Sequence, residues 1–307
     1  MDRLITTNYI KAIADARNIS AAAENLGISQ PALSAYLKKT EEQLGMILFD
    51  RSQKPLVLTE AGIAYLQYAD KMDALNKEFV QQISDLENLR TGSLTIGGAS
   101  FFNITYLPKA IAEFISRYPG VDVEIKDGRV PEISMAALNG KVDLFITPTA
   151  EDPERFTYEK LLDEKIFICV PAQWKLNDEL GSKGNGEYKI LDGDDFVKLK
   201  HSTFILLHNE QHIGRKMNEI FKKYGFVPEH KVTVDQTMTS LALTKAGVGI
   251  SLITESTIRN SNLNESICMY IADEGICSRE MFAAFPKNRY ISRATTEFTS
   301  ILKKVNE

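Results

Sequence analysis

The strongest constraint on this chain is a pair of helices joined by a glycine turn near the amino terminus. Ser20 precedes three alanines and predicts the start of a short helix that ends near Asn25. Gly27 lies in the turn that follows, where glycine adopts positive φ without steric cost. An earlier amphipathic helix is predicted over about residues 3–16, because apolar side chains recur there at helical spacing.

The helix after this turn carries signals at both of its ends. Ser29 predicts the N-cap, and Pro31 falls in the first turn, where no backbone donor is lost. We expect the helix to run to about Leu44 and to stop at Gly45. Two short helices around such a turn form either a DNA-binding helix-turn-helix or an ordinary helical hairpin.

The next segment favours the helix-turn-helix. Residues 47–49 predict a short strand, residues 50–55 a basic turn and residues 56–58 a second strand, which together make a wing. Thr59 then opens another helix. We therefore expect an α-rich winged helix-turn-helix domain over residues 1–58.

Charge and composition limit the classes to which this protein can belong. The net charge is −5, whereas residues 1–58 hold seven Lys and Arg against six Asp and Glu, which leaves this segment at +1. The first residues are too polar for a signal peptide, and no apolar run reaches the roughly 18 residues of a membrane helix. We expect a cytoplasmic protein without membrane contact.

The three cysteines, without CxxC spacing, predict reduced thiols, with a redox pair between Cys268 and Cys277 as the alternative.

The amino-terminal segment closely resembles the LysR-type transcription regulators. The resemblance is carried by Ala21–Ala23, Leu26, Ile28–Ser34, Glu41, Glu42, Leu44, Gly45, Leu48, Phe49, Arg51 and Leu58–Gly62. It implies that the third helix enters the major groove of an operator, with its first residues at base edges and basic residues at phosphates. The candidate DNA-binding residues are Ser29, Gln30, Pro31, Ser34, Tyr36, Lys38, Arg51 and Lys54.

This sequence departs from the family pattern inside that helix. The family usually has Ser-Arg-Gln where this chain has Ser34-Ala35-Tyr36, so a base-reading arginine is missing. We expect specificity to depend more on Gln30, on Tyr36 and on the deformability of the DNA.

A long helix with a narrow apolar seam is predicted from Thr59 to about Arg90, within a linker segment over residues 59–91. Its apolar residues recur every three or four positions: Tyr68, Met72, Leu75, Phe79, Ile83 and Leu86. The seam packs either on the same helix of a second copy or on the chain's own carboxyl-terminal domain. The resemblance implies the former, giving a homodimer or a homotetramer.

Residues 92–307 alternate strands with helices, which predicts an α/β sheet with crossover helices. A looser resemblance to the family covers this region, through Leu107-Pro108, Asp143-Leu144 and Lys245–Ile250 among others. It implies a periplasmic-binding-protein-like effector domain of two α/β subdomains. We place subdomain I at residues 92–161 and 267–307, and subdomain II at residues 162–266.

An effector site is expected beyond the carboxyl ends of the strands, where ligands bind in open α/β sheets. The candidate effector-binding residues are Ser100, Phe102, Asn103, Arg129, Thr147, Thr149 and Thr203. A helix predicted to start after Asn103 would offer unpaired N–H groups, which suit a small anion or carboxylate. Each hydroxyl could equally serve as a helix cap or a turn. The family often has a hydroxyl where this chain has Val130, and Arg129 would replace that contact with a charge.

No catalytic constellation, metal cluster or phosphate loop is present in the sequence, so we expect neither an enzyme nor a cofactor. The four histidines are interpreted as surface or turn residues. The acidic run over residues 192–195 resembles a calcium loop, but a turn that caps a short helix fits its spacing better. The alternative function is a solute-binding protein or a small-molecule-binding enzyme with the same carboxyl-terminal fold.

Overall fold

The structure is a computed structural model that describes residues 2–86, 89, 91–181, 183–184, 188–261, 266–272 and 276–306. The amino-terminal domain contains the helices α1 (Asp2–Ala16), α2 (Ile19–Asn25) and α3 (Gln30–Leu44). Ser29 caps α3 as predicted, and Gly45 ends it in the left-handed conformation. The prediction for Ser20 is wrong, because Asn18 is the N-cap of α2 and accepts hydrogen bonds from Ser20 N and Ala21 N.

The predicted wing is confirmed as a pair of short antiparallel strands. These are β1 (Phe49–Asp50) and β2 (Val57–Leu58), which pair Phe49 with Leu58. Ile10, Ile13, Leu33 and Leu37 pack with Phe49 in one buried cluster, so the wing and the three helices share a core.

The linker helix α4 (Glu60–Leu86) begins one residue later than predicted. Thr59 precedes it, and its hydroxyl accepts a hydrogen bond from Gly62 N at 3.1 Å. Residues 87, 88 and 90, which were predicted to complete the helix, lie outside the described residues.

Subdomain I is a sheet with helices packed on its faces. The parallel strands β3 (Gly92–Gly98), β4 (Val121–Asp127) and β5 (Leu144–Thr147) lie in the order β4-β3-β5, and the antiparallel strand β13 (Ser278–Pro286) follows β5. The helices are α5 (Ser100–Arg117), α6 (Val130–Leu138) and α11 (Arg293–Asn306). Helix α5 begins at Ser100 and not after Asn103, because Asn103 N already donates to Ala99 O.

Subdomain II is built around a second sheet. Its parallel strands β9 (Thr203–Leu207), β10 (His230–Val234) and β11 (Ile250–Thr254) lie in the order β10-β9-β11. Its helices are α7 (Gly193–Leu199), α8 (His212–Tyr224), α9 (Thr237–Lys245) and α10 (Glu255–Arg259), and residues Lys175–Asp178 form a 3₁₀ turn. Two short strands, β7 (Lys183–Gly184) and β8 (Lys189–Ile190), lie at its edge.

The long strand β6 (Phe156–Pro171) joins the two subdomains. Its first half pairs with β13 and its second half with β11 and β12 (Ile267–Ile271). Residues 267–271 were predicted in subdomain I, but β12 pairs with residues 168–171 and packs into the core of subdomain II. The chain therefore returns to subdomain I through β13.

The acidic run at residues 192–195 is a helix cap. Asp192 accepts hydrogen bonds from Asp194 N and Asp195 N at the start of α7. Cys169, Cys268 and Cys277 are free thiols, as the first of the two interpretations expected.

Candidate DNA-binding head and effector cleft

The first turns of α3 present one polar face. Gln30, Ser34 and Lys38 follow at intervals of four residues, so they lie on the same side of the helix. The Gln30 side-chain amide donates to Ser34 Oγ at 2.9 Å, and Gln30 and Lys38 are exposed. Ser29 and Pro31 are exposed at the start of the same helix. A capped helix start with exposed amide, hydroxyl and ammonium groups can contact both base edges and phosphates.

Tyr36 lies on a different flank of α3. Its ring packs edge-on against Tyr9 of α1, with ring centroids 4.9 Å apart. The structure thus separates Tyr36 from the face that carries Gln30 and Lys38, although two fifths of its surface is exposed.

Glu41 fixes the wing to α3, a role that the sequence pattern did not indicate. Its Oε1 accepts hydrogen bonds from Leu48 N at 2.8 Å and from Phe49 N at 3.4 Å, and its Oε2 accepts from Arg51 Nη2 at 2.8 Å. The Arg51 guanidinium is half exposed and is therefore both a wing brace and a cation on the surface. Lys54 is exposed at the tip of the wing.

One face of α4 is clamped to subdomain I by polar contacts. Asp143 accepts from Lys77 Nζ at 2.8 Å and from Gln81 Nε2 at 3.0 Å. Further along the helix, Glu78 pairs with Arg289 at 2.8 Å, and Asp85 accepts from the Tyr290 hydroxyl at 2.6 Å. The helix and subdomain I therefore form one connected unit.

The predicted apolar seam lies on the opposite side of α4. Leu75 and Phe79 are each 61% exposed, and Tyr68, Ile83 and Leu86 are also exposed. The alternative that the seam packs on the chain's own carboxyl-terminal domain is wrong, because that domain contacts the polar face instead. A row of large apolar side chains in water indicates a surface for another protein.

The loop after β5 in subdomain I and the start of α8 in subdomain II approach each other, since Glu151 lies 3.3 Å from Arg215. We call the space between the starts of α5 and α8 the front cleft. On the subdomain I side, Ser100 occupies the first position of α5, where helix N–H groups have no intrahelical acceptor. Phe102 is buried beneath it, 5.4 Å from the Arg279 guanidinium. The amide of Asn103 donates to Gly98 O and to Asp127, while its buried Oδ1 has no partner among the described residues.

Thr147, the last residue of β5, and Thr149 form a closed turn. Thr147 is 1% exposed, its hydroxyl donates to Thr149 O at 3.1 Å, and it accepts from Thr149 N at 3.3 Å. Thr147 therefore has the alternative role of a turn residue. Thr149 is half-buried. Arg129 is exposed at the N-cap of α6, and its backbone N–H donates to Glu132 at 3.2 Å.

The prediction that Thr203 approaches the cleft is wrong. Strands β9 and β10 are parallel and pair Thr203 with His230 and Leu207 with Val234. Thr203 is thus the first residue of its strand and lies at the edge remote from subdomain I, about 13 Å from the carboxyl end. Composition could not reveal this, because the direction of a strand is set by its sheet neighbours.

His212, and not Thr203, is a polar residue that follows the carboxyl end of β9 in subdomain II. It is the first residue of α8, directly after the β9 loop, and its buried Nδ1 makes no hydrogen bond within the described chain. Burial, followed by the positive charge of Arg279, lowers the pKa of His212 to about 3. The interpretation of the histidines as surface or turn residues is therefore wrong for His212, which lies in the first turn of α8 with a buried ring nitrogen and is neutral at neutral pH.

A buried network, which we call the latch, crosses between the subdomains behind the cleft. Glu164 of β6 and Arg279 of β13 form an ion pair in which each side chain is 2% exposed. Tyr106 of subdomain I donates its hydroxyl to Glu164 at 2.8 Å, and Ser256 N of subdomain II donates to the same carboxylate at 2.8 Å. Burial alone would raise the pKa of Glu164, but the Arg279 charge and the Ser256 hydrogen bonds hold it below its usual value.

A second contact crosses the mouth of the front cleft. Glu151, in the loop after β5, lies 3.3 Å from Arg215 Nη2 on α8. Both side chains are exposed, so water screens this pair far more than the latch.

Within the described ranges, no helix is both long enough and apolar enough to cross a membrane. No group of three or more His, Cys, Asp or Glu side chains in those ranges is arranged to hold a metal ion.

Known families match almost the whole chain. The model of the LysR substrate binding domain matches residues 87–307, and that of the bacterial regulatory helix-turn-helix proteins of the lysR family matches residues 6–63. A probable RuBisCO transcriptional regulator from Porphyra purpurea is 28% identical over 299 residues, which cover 94% of this chain and 90% of that protein. Its counterpart in Synechocystis sp. is 27% identical over 297 residues, which cover 94% and 82%.

The same family is found among solved structures. CbnR, a LysR family transcriptional regulator, superposes with a TM-score of 0.70 at 18% identity and covers 99% of each chain, which shows a shared fold. The capped helix α3, the wing, the linker helix and the two-lobed carboxyl-terminal domain all agree with these matches. The chain belongs to the LysR family of bacterial transcription regulators, which bind DNA through a helix-turn-helix and carry an effector-binding domain, and it is not an enzyme.

Proposed function

We propose that this regulator binds a two-fold symmetric operator through two copies of α3 and responds to a small organic anion in the front cleft. The observation that supports operator binding is the face of α3 on which Gln30, Ser34 and Lys38 lie, beside a wing held by Glu41. Gln30 reads a base, and Lys38, Arg51 and Lys54 contact phosphates.

The operator-binding form is a dimer joined through the linker seam. One helix-turn-helix reads a single half-site, so a pair of heads is needed to read two half-sites about one helical turn apart. The seam supplies the contact because Leu75, Phe79 and their neighbours are exposed while the opposite face of α4 is occupied by subdomain I. Two dimers make a tetramer if a second surface pairs. The protein acts in the cytoplasm, where its operator lies.

A small carboxylate is the effector class that the cleft favours. The start of α5 offers N–H groups and the positive end of a helix dipole at Ser100. His212, at the start of α8, has a buried ring nitrogen that lacks a partner among the described residues, and it lies near enough to Arg279 for that charge to lower its pKa. The Arg279 guanidinium lies 5.4 Å from the centre of the Phe102 ring, and its charge is compensated by Glu164. The combination suits an anion with an apolar part of modest size.

The effector acts by changing the angle between the subdomains. An anion that contacts α5 and α8 together favours one angle, which is the differential affinity that switching requires. Subdomain I is clamped to α4 through Asp143, Glu78 and Asp85, so a change of angle moves subdomain II relative to the whole DNA-binding unit. In an oligomer this motion shifts the spacing of the heads.

Binding to DNA upstream of the neighbouring gene tests the function. A gel-shift assay with that DNA should give a shifted band at protein concentrations that leave random DNA unbound, and footprinting should protect two half-sites. A solute-binding protein or an enzyme, the alternative function, would shift neither the upstream DNA nor the random DNA. Equal binding of both DNAs would remove sequence specificity from the proposal.

A thermal-shift screen of small organic acids tests the effector site. A ligand that binds only the native protein raises its melting temperature. The Ser100→Ala variant should lose about 1 kcal/mol or more of binding to the acid that stabilises the wild type. The Thr203→Val variant is the matched control and should respond as the wild type does, because Thr203 lies at the far edge of its sheet. If Ser100→Ala also responds as the wild type does, the acid binds elsewhere.

A further inference from the structure

A second cavity between the subdomains lies on the flank of the crossing strand β6, away from the residues of the front cleft. It encloses about 660 Å³, which is within the usual range for small-molecule sites. Subdomain I contributes α5 and the end of α11, subdomain II contributes α10, and β6 forms the floor. Its lining includes Tyr106, Lys109, Asp163, Glu255, Arg259 and Lys303.

The acidic groups of this flank cavity are already neutralised. Asp163 pairs with Lys160 at 2.8 Å, and Glu255 pairs with Arg259 of the same helix. Glu164, at the floor, is held by Arg279 in the latch. Each carboxylate of the lining thus has a cationic partner, and one of these partners, Lys160, is shared between Asp163 and Glu280.

Two cations of the lining have no such partner. Among the described residues, neither Lys109 of α5 nor Lys303 of α11 forms an ion pair. Lys109 is exposed and Lys303 is half-buried, so both ammonium groups are accessible from the same opening. The rest of the lining is mixed: the hydroxyls of Thr105 and Ser256 are part of it, and so are the aliphatic side chains of Leu161, Leu162 and Val305.

We propose that the flank cavity is a second effector site, which binds a small polar molecule with at least two negative charges, such as a phosphorylated or polycarboxylate metabolite. The two lysines pair with its charges, and the Thr105 hydroxyl donates to one of its remaining oxygens, since the Tyr106 and Ser256 hydroxyls are engaged with Glu164. A ligand with one carboxylate and an apolar body suits the front cleft, whereas this cavity offers two cations on separate helices. The inference goes beyond the proposed function and does not depend on it.

The position of the cavity makes it a regulatory site. Its occupant contacts α5 and α11 of subdomain I together with α10 of subdomain II, beside the Tyr106 and Ser256 groups of the latch. It therefore favours one angle between the subdomains, as the front-cleft effector does, and the two ligands become coupled. The regulator then integrates two metabolic signals.

Isothermal titration of the full chain with pyrophosphate, citrate and acetate at matched ionic strength tests the proposal. Pyrophosphate or citrate should bind at one site per chain, and acetate should bind far more weakly. The Lys109→Gln/Lys303→Gln variant should weaken polyanion binding at least about tenfold, the effect of losing charge-assisted contacts. The matched control is Lys304→Gln, which removes an exposed lysine next to Lys303 on the same helix and should bind as the wild type does.

Three outcomes would overturn the inference. Undiminished polyanion binding by the double variant would place the anion elsewhere, and loss of binding in Ser100→Ala instead would place it in the front cleft. Equal losses in the double variant and in Lys304→Gln would mean that surface charge alone is responsible. Operator binding without anion should match the wild type in all variants. If the polyanion test fails, the proposed function is therefore unaffected.

Discussion

The Oε2 atom of Glu164 lies 2.6 Å from Nε of Arg279, although the two residues are 115 positions apart. Each belongs to a strand that joins the subdomains, and both side chains are removed from water. Ser256 and Tyr106 satisfy the carboxylate from opposite sides of the junction. The position of the junction is thus specified by a buried charge pair that exists only when both crossing strands are in register.

Removing one member of this pair should be strongly destabilising. The Glu164→Gln variant leaves the Arg279 charge buried, so the free energy of unfolding should fall by about 3–5 kcal/mol. Urea denaturation followed by circular dichroism measures it. The matched control is Glu280→Gln, which removes an exposed partner of Lys160 and should cost less than about 1 kcal/mol. Similar losses in the two variants would contradict a structural role for the latch.

The buried His212 ring should make stability depend on pH in a specific window. Its pKa is 6.5 in the unfolded chain and about 3 in the folded one, so the unfolded state binds a proton first as the pH falls. The histidine costs no stability above pH 6.5, and its cost grows as the pH drops towards 3. Unfolding of wild type and His212→Gln should be compared at about pH 7.5, 6 and 5. The variant should lose less stability over this series, and parallel curves would mean that His212 is protonated when folded.

The linker seam should control assembly without affecting folding. Replacing Leu75 and Phe79 by glutamate would place charges in the dimer contact, a cost that the contact cannot absorb. We expect a monomer by multi-angle light scattering, with an unchanged circular dichroism spectrum. The matched control changes the similarly exposed Val197 and Val227 of subdomain II to glutamate and should keep the wild-type mass. A dimer of the seam variant would show that another surface joins the protomers.

Two residues of α3 should differ in what they contribute to DNA binding. The Gln30→Ala variant should lose about 1–3 kcal/mol on the operator and little on random DNA, because it contacts a base. The Lys38→Gln variant should weaken binding to both DNAs and reduce the salt dependence by about one counterion. Fluorescence anisotropy over a salt series measures both effects. Equal losses for Gln30→Ala on the two DNAs would remove it from base recognition.

The DNA-binding head could be predicted from the sequence in nearly all of its elements. The Ser29 cap, the Gly27 turn with φ of 66° and the Gly45 stop of α3 depend on hydrogen bonds and backbone sterics within a few residues. The apolar seam of α4 was predicted for the same reason, because helical periodicity is a local property. The cap of α2 was misplaced by two residues, since Asn18 and Ser20 are both good caps and only packing chooses between them.

The effector domain shows what only the tertiary structure decided. Thr203 could be assigned to a strand, but the parallel pairing of β9 with β10 determined which end of the sheet it occupies. The burial of His212 and the pairing of Glu164 with Arg279 depend on segments brought together from more than 50 residues away. Strand direction, desolvation and long-range charge pairing are properties of contacts between distant segments, and a linear pattern of residue types does not contain them.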